Sequence, residues 1–92
     1  MESNPPPKLE TLAEELAVLI SQRLLEVPPT FATSSNLFEL GLDSMAIMQL
    51  LLLIDEKYGL WLQPSDLTRE NFNTPLTVAQ LLHSRLGVPP SK

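Results

Sequence analysis

The chain has 92 residues, 11 acidic and 6 basic, and its formal charge of −5 argues against nucleic acid or an anionic membrane as a partner. Cysteine is absent, which excludes disulfides, thiolate metal sites and a cysteine nucleophile. No apolar stretch approaches the roughly 20 residues that a membrane-spanning helix needs. We therefore expect one small, soluble, cytoplasmic and monomeric domain that is held together by apolar packing.

Proline divides the sequence into a domain and two tails. Three consecutive prolines at the start predict a disordered tail over residues 1–8, and a proline pair near the other end predicts a second tail over 88–92. The first residues lack both the basic start and the apolar core of a signal peptide. The folded domain is expected to cover residues 9–87.

The first predicted helix begins near Leu9, because apolar residues from there to Leu24 recur at steps of three and four. Pro28 cannot continue this helix and pushes the residue before it out of the helical region. The connection that follows, residues 27–43, is long for a compact domain and has irregularly spaced apolar residues. Such loops tend to be functional, and this one ends at an Asp-Ser pair.

Asp43 and Ser44 stand where this loop becomes a second, strongly apolar helix. One side-chain oxygen is enough to cap a helix, so if Asp43 is the cap, the Ser44 hydroxyl is free to point outward. It would then lie at the positive end of the helix, where a phosphate is favoured. On these two residues alone, plain capping is the better explanation. Gly41, just before them, suits a positive φ or a close backbone approach.

Two apolar stripes run along the second helix when it is unrolled at 100° per residue. The first is the predicted core face and contains Ile47, Leu50, Leu51, Ile54 and Tyr58. The second contains Met45, Met48 and Leu52, and Gln49 and Glu56 flank it. This segment alone leaves two interpretations open: an exposed binding surface, for which methionine is well suited, or a central helix buried all round.

The rest of the chain predicts one short helix and one long one. Gly59 can end the second helix in the left-handed conformation. Trp61 is interpreted as a partly buried loop anchor, and a short helix is predicted from Ser65 to about Asn71. A Thr-Val-Ala-Gln capping box at Thr77 would open the last helix. The predicted fold is all-α: a small bundle of three principal helices and one short helix, with a long loop between the first two.

No catalytic group can be assembled from the sequence. The chain has a single histidine, His83, which lies on the last predicted helix, and its adjacent acidic pairs point apart on their helices. A glycine-rich phosphate loop is missing, and a second histidine that would support a metal site is missing too. We therefore expect neither an enzyme nor a metal-binding protein.

Residues 39–45, Glu-Leu-Gly-Leu-Asp-Ser-Met, together with the apolar helix after them, resemble the phosphopantetheine attachment motif of acyl and peptidyl carrier proteins. The resemblance continues through Tyr58-Gly59 and through residues 67–74, and it covers roughly residues 9–87. It is far more specific than a short motif match. The carrier family implies the same small helical bundle that the sequence pattern predicts.

The resemblance implies that a phosphopantetheinyl transferase joins 4′-phosphopantetheine to the Ser44 hydroxyl, and that acyl groups then travel on this arm as thioesters. Asp43 would cap the helix and be recognised by the transferase, while Gly41 and Leu42 shape the turn before it. Ser44 is then a tether rather than a catalyst.

Partner enzymes of carrier proteins contact the residues one, four and eight positions after the attachment serine. By this resemblance Met45, Met48 and Leu52 form the partner-binding face, with Gln49 and Glu56 beside them. The implied partners are the transferase, an acyl- or aminoacyl-loading enzyme and downstream biosynthetic enzymes.

The cargo is predicted to be an acyl group, since many peptidyl carriers have a second glycine at the position of Leu42. A polyketide or related secondary-metabolite pathway is expected because residues 67–74 resemble discrete carriers of polyketide or nonribosomal peptide pathways. Two alternatives stay open: an aminoacyl or peptidyl carrier of a nonribosomal peptide pathway, and a degenerate carrier fold that acts only as a helical interaction module. The second helix has Ala46, Gln49 and Leu53 where fatty-acid carriers commonly have acidic residues. Mainly apolar partner contacts are therefore expected.

Overall fold

The computed structural model of the protein describes residues 8–86, and every regular element within them is helical. Helix α1 spans Leu9–Arg23, α2 spans Ser44–Tyr58 and α3 spans Pro75–Leu86, with a 3-10 helix at Pro64–Asp66 before α3. These elements confirm the predicted all-α bundle and its long loop between the first two helices. Apart from Lys8, the predicted tails lie outside the described residues, as does Gly87, so the domain limits stay predictions.

The core is formed by the inner faces of the three long helices. Helices α1 and α3 pack most closely against each other. Each large apolar side chain that is buried in this way contributes about 1.5–3 kcal/mol to folding. The fully buried helical side chains are Leu12, Leu16 and Ile20 of α1, Leu50 and Ile54 of α2, and Pro75, Val78, Ala79 and Leu82 of α3.

The long loop between α1 and α2 is fastened to the core and to the segment before α3. The side chains of Leu37 and Leu42 are buried. The Leu37 N–H donates to the Asn73 carbonyl oxygen at 2.7 Å, and the Leu76 N–H donates to the Thr33 carbonyl oxygen at 2.9 Å. Because these bonds hold the middle of the loop and the buried Leu42 holds its last residues, the residues that lead into α2 have a fixed path.

Helix α2 is tied to α1 near its C-terminal end by the half-buried Tyr58. The Tyr58 hydroxyl donates to Glu15 Oε1 at 3.0 Å. Burial, then the hydrogen bond to Glu15 and the negative charge of that carboxylate, raise the pKa of Tyr58 well above its ordinary value. Gly59 then ends the helix in the predicted left-handed conformation, with φ 67°.

The short helix after α2 is a single 3-10 turn, so the prediction of a helix as far as Asn71 was wrong. The Asp66 carboxylate accepts from the Gln63 N–H at 3.1 Å and so caps the start of this turn. Leu67 then leaves helical geometry, with φ −87° and ψ 64°. Asp66 is buried and pairs with Arg85, so this turn is also held against the end of α3.

Two further local predictions need correction. Trp61 is 54% exposed and is not the loop anchor, because the next residue, Leu62, is the buried one. Helix α3 begins at Pro75 rather than at a Thr77 cap. The Thr74 hydroxyl accepts from the Thr77 N–H at 3.0 Å and the Thr77 hydroxyl accepts from the Thr74 N–H at 2.9 Å, which is a reciprocal cap with proline in the first helical position.

None of the helices within residues 8–86 combines the length and the apolar character that crossing a membrane requires.

Candidate functional site

Asp43 and Ser44 have different positions at the start of α2, the cap and the first helical residue, as the sequence predicts. Asp43 is the N-cap, with extended backbone, and its Oδ1 accepts from the Ala46 N–H at 2.9 Å. Ser44 is the first residue of the helix and its side chain is exposed. Within residues 8–86 its hydroxyl forms no hydrogen bond, and the helix end is capped by Asp43 instead. The Ser44 hydroxyl is therefore accessible from solvent and uncommitted.

The turn before the cap sets the direction in which Ser44 is presented. Gly41 has a φ of 111°, which confirms the predicted positive φ and would strain any other residue there. Its N–H donates to the Phe38 carbonyl oxygen at 3.3 Å, and the Leu42 N–H donates to the Leu37 carbonyl oxygen at 2.9 Å. Leu42 is thereby inserted into the core, and the chain emerges again at Asp43 and Ser44.

The helix end at Ser44 favours a negatively charged substituent on its oxygen, although the adjacent Asp43 carboxylate opposes it. The aligned peptide dipoles of a 15-residue helix place a partial positive charge at its N-terminal end, where Ser44 lies. A phosphate on Ser44 Oγ would remain in solvent while it benefits from this charge. The residues present thus fit a phosphodiester at this position without any rearrangement of buried groups.

No group that could activate Ser44 for catalysis lies beside it in the described part of the chain. His83 is exposed on α3 and forms no hydrogen bond with Ser44. Residues 8–86 also contain no cluster of three or more histidine or acidic side chains that could hold a metal ion. A surface groove of about 390 Å³ lies elsewhere, between the start of α1 and the start of α3, and Ser44 does not line it. The arrangement suits an attachment point on an open surface.

The second apolar stripe of α2 is exposed rather than buried. Met45 is 73% exposed, Met48 53% and Leu52 59%, and Gln49 and Glu56 beside them are exposed as well. The opposite face of the helix carries the buried side chains, namely Ala46, Leu50, Leu51 and Ile54. Ser44 therefore lies at the end of an apolar surface on its own helix. The role of these residues in partner binding stays a prediction.

One feature near the site was missed in the sequence. The Arg69 guanidinium stacks on the ring of Phe38, with Cζ 4.2 Å from the ring centroid. Phe38 belongs to the turn that leads to Gly41 and Ser44, whereas Arg69 follows the 3-10 helix. Residues so far apart in the sequence carry no local pattern that would pair them.

Comparison with known proteins agrees with this geometry. Residues 11–82 match the family model described as a phosphopantetheine attachment site. No curated protein matches the chain.

Solved structures that contain chains of similar fold include two ligase complexes. One is the crystal structure of Bradyrhizobium japonicum glycine:[carrier protein] ligase complexed with glycylated carrier protein, with 19% identity, a TM-score of 0.59, and coverage of 79% of this chain and 96% of that chain. The other is an engineered form of that ligase complexed with ATP and a carrier protein from Agrobacterium tumefaciens, with 25% identity, a TM-score of 0.62, and coverage of 82% and 96%. The matched chains are carrier proteins.

The family match covers most of the chain, and it contains the whole attachment turn and all of α2. The chain therefore belongs to the phosphopantetheine attachment family: it is a carrier protein whose domain takes 4′-phosphopantetheine as a covalent cofactor.

Proposed function

We propose that Ser44 is the residue to which 4′-phosphopantetheine is attached. The observation that carries this proposal is the exposed, uncommitted hydroxyl at the first position of α2, left free because Asp43 caps the helix. In the transfer, the Ser44 oxygen would replace the adenosine bisphosphate part of coenzyme A on phosphorus and lose its proton. The attached group supplies the thiol that a chain without cysteine lacks.

Intact mass spectrometry after incubation with coenzyme A and a broad-specificity phosphopantetheinyl transferase tests this proposal. The wild-type chain is expected to gain one phosphopantetheine, and Ser44→Ala none. Ser65→Ala is the matched control, because Ser65 is also an exposed serine in the first turn of a helical element. Absence of the gain in wild type, or a gain that survives Ser44→Ala, would overturn the assignment.

The exposed stripe of α2 is proposed to be the surface that partner enzymes contact. Met45, Met48 and Leu52 supply apolar area, and Gln49 and Glu56 lie at its border. The geometry supports this role because the stripe begins at the residue after Ser44. A partner bound there receives the arm at a high effective concentration.

The cargo is proposed to be an acyl group held as a thioester, as in polyketide and related pathways. Leu42, at a position where many peptidyl carriers have glycine, gives this proposal weaker support in the structure than in the sequence. Its side chain is buried in the core, so leucine has a packing reason at this position whatever the cargo.

Aminoacyl loading is the second candidate, and one observation favours it: the two complexes described above each contain a carrier protein of similar fold and a glycine:[carrier protein] ligase. The two candidates are separated by incubating the phosphopantetheinylated chain with either an acyl-coenzyme A and its acyltransferase, or an amino acid, ATP and such a ligase. The mass of the group that is gained identifies the cargo class.

A third candidate, a degenerate fold without the cofactor, is opposed by the exposed Ser44 and would gain no mass in the transferase reaction. The proposed partners are the transferase, a loading enzyme and downstream biosynthetic enzymes. Monomeric state, cytoplasmic location, absence of catalytic activity and absence of nucleic-acid or membrane binding stay predictions.

A further inference from the structure

Arg69 is held in place from two sides. Its carbonyl oxygen accepts from the Phe72 N–H at 3.3 Å, and the fully buried Phe72 ring anchors that turn in the core. Its guanidinium lies over the ring of Phe38, with 4.2 Å between Cζ and the ring centroid. An exposed cation stacked in this way loses much of the conformational freedom that weakens ordinary surface charges.

This cation lies beside the loop that presents Ser44. The Gly41 N–H donates to the Phe38 carbonyl oxygen, so these two residues close one turn. The Cα atoms at the two ends of a turn, here Phe38 and Gly41, are less than about 7 Å apart. Ser44 is three residues beyond Gly41, and consecutive Cα atoms are about 3.8 Å apart, so the Cα atoms of Phe38 and Ser44 are at most about 18 Å apart. The Leu37–Asn73 hydrogen bond of 2.7 Å holds the segments of Phe38 and Arg69 together.

The guanidinium edge of Arg69 is available for a ligand. Stacking covers a face of the group and leaves its in-plane N–H donors free, and that planar fork matches the oxygens of a phosphate. Within residues 8–86 the carboxylates are all more than 4 Å from Arg69, whereas Arg85 is paired with Asp66.

We propose that Arg69 binds a phosphate group of the cofactor. This inference rests on the proposed function, because attachment at Ser44 brings a phosphate to the end of the loop on which Arg69 stacks. Two phosphates qualify by the same chemistry: the phosphodiester on Ser44 after transfer, and the 3′-phosphate of coenzyme A during transfer.

The first measurement follows the arginine Nε–Hε signals of the ¹⁵N-labelled protein before and after phosphopantetheine attachment, together with the ³¹P signal of the product. If Arg69 binds the phosphodiester, its signal shifts on attachment while those of Arg23 and Arg85 do not, and Arg69→Gln shifts the ³¹P signal. Lys57→Gln is the matched control. Lys57 is also an exposed cation over an aromatic ring, that of Tyr58 at 5.6 Å, but it lies at the other end of α2.

The second measurement compares the transferase KM for coenzyme A with that for dephospho-coenzyme A, which lacks the 3′-phosphate. If Arg69 binds the 3′-phosphate, Arg69→Gln raises the KM for coenzyme A about threefold to fivefold and leaves the KM for dephospho-coenzyme A unchanged. This factor corresponds to the upper part of the free-energy range for one exposed ion pair. Equal increases in both KM values, which a misfolded variant would also give, contradict binding of the 3′-phosphate.

The intact mass of the wild-type product distinguishes failure of the Arg69 role from failure of attachment at Ser44. Normal attachment at Ser44 with no response of Arg69 in either measurement overturns the role of Arg69 alone. If wild type gains no phosphopantetheine at Ser44, the proposed function fails and the role of Arg69 falls with it.

Discussion

Asp43 has a structural role and a proposed recognition role, and two substitutions separate them. Asp43→Ala removes the 2.9 Å hydrogen bond to the Ala46 N–H, which costs about 0.5–2 kcal/mol of stability for an N-cap. In a domain of this size each 1 kcal/mol lowers Tm by about 4–8 °C. Asp43→Ser keeps a capping oxygen and loses the favourable charge at the helix end, which is worth about 0.3–1 kcal/mol.

Thermal unfolding by circular dichroism and transferase kinetics should therefore rank the variants differently. Tm is expected to fall in the order wild type, Asp43→Ser, Asp43→Ala. The rate of phosphopantetheine transfer is expected to fall in both variants, because neither has the carboxylate that the transferase is proposed to recognise. An unchanged Tm in Asp43→Ala would refute the capping role, and a wild-type transfer rate in Asp43→Ser would refute the recognition role.

Two other surfaces of the domain give further predictions. Met48→Ala combined with Leu52→Ala should weaken binding to a cognate partner enzyme about tenfold or more, since truncating a buried interface anchor costs over 1 kcal/mol. The Tm of this double variant should change little. Binding of the wild-type chain should depend only weakly on salt. Tyr58→Phe should flatten the loss of stability at high pH. The raised pKa of Tyr58 means that its contribution is complete below the ordinary value of about 10 and is lost as pH rises toward the raised value.

Titration calorimetry and urea unfolding at several pH values check these two predictions. Val18→Ala is the control for the first, because Val18 is 52% exposed but belongs to α1 and not to the stripe, so the substitution should leave affinity unchanged. Steep loss of wild-type affinity between low and moderate salt would contradict mainly apolar contacts. Identical pH profiles for wild type and Tyr58→Phe above about pH 10 would show that Tyr58 does not supply the alkaline dependence.

Local chemistry made the attachment turn predictable from the sequence. Capping by Asp43 and the positive φ of Gly41 follow from side-chain and backbone preferences that act over a few residues, so the structure confirms both. The burial of one face of α2 follows from helical periodicity in the same way. Whether the second stripe faces solvent is set by the neighbouring helices, so the helix pattern alone left that question open.

Contacts between distant segments account for what the sequence did not predict. Leu62 is buried and Trp61 is not, because the direction of the chain after Gly59 depends on the core that it meets. The buried Asp66 ends its turn early through contacts with Gln63 and Arg85. The stacking of Arg69 on Phe38 likewise joins two loops that only the folded chain brings together.

The exposed hydroxyl of Ser44 is the centre of the proposed function, and fragmentation of the transferase product tests it most directly. Peptide mapping by tandem mass spectrometry should find phosphopantetheine on the peptide that contains Ser44, at one group per chain. Phosphopantetheine on a different residue, or its complete absence from that peptide in a product of increased mass, would contradict the assignment.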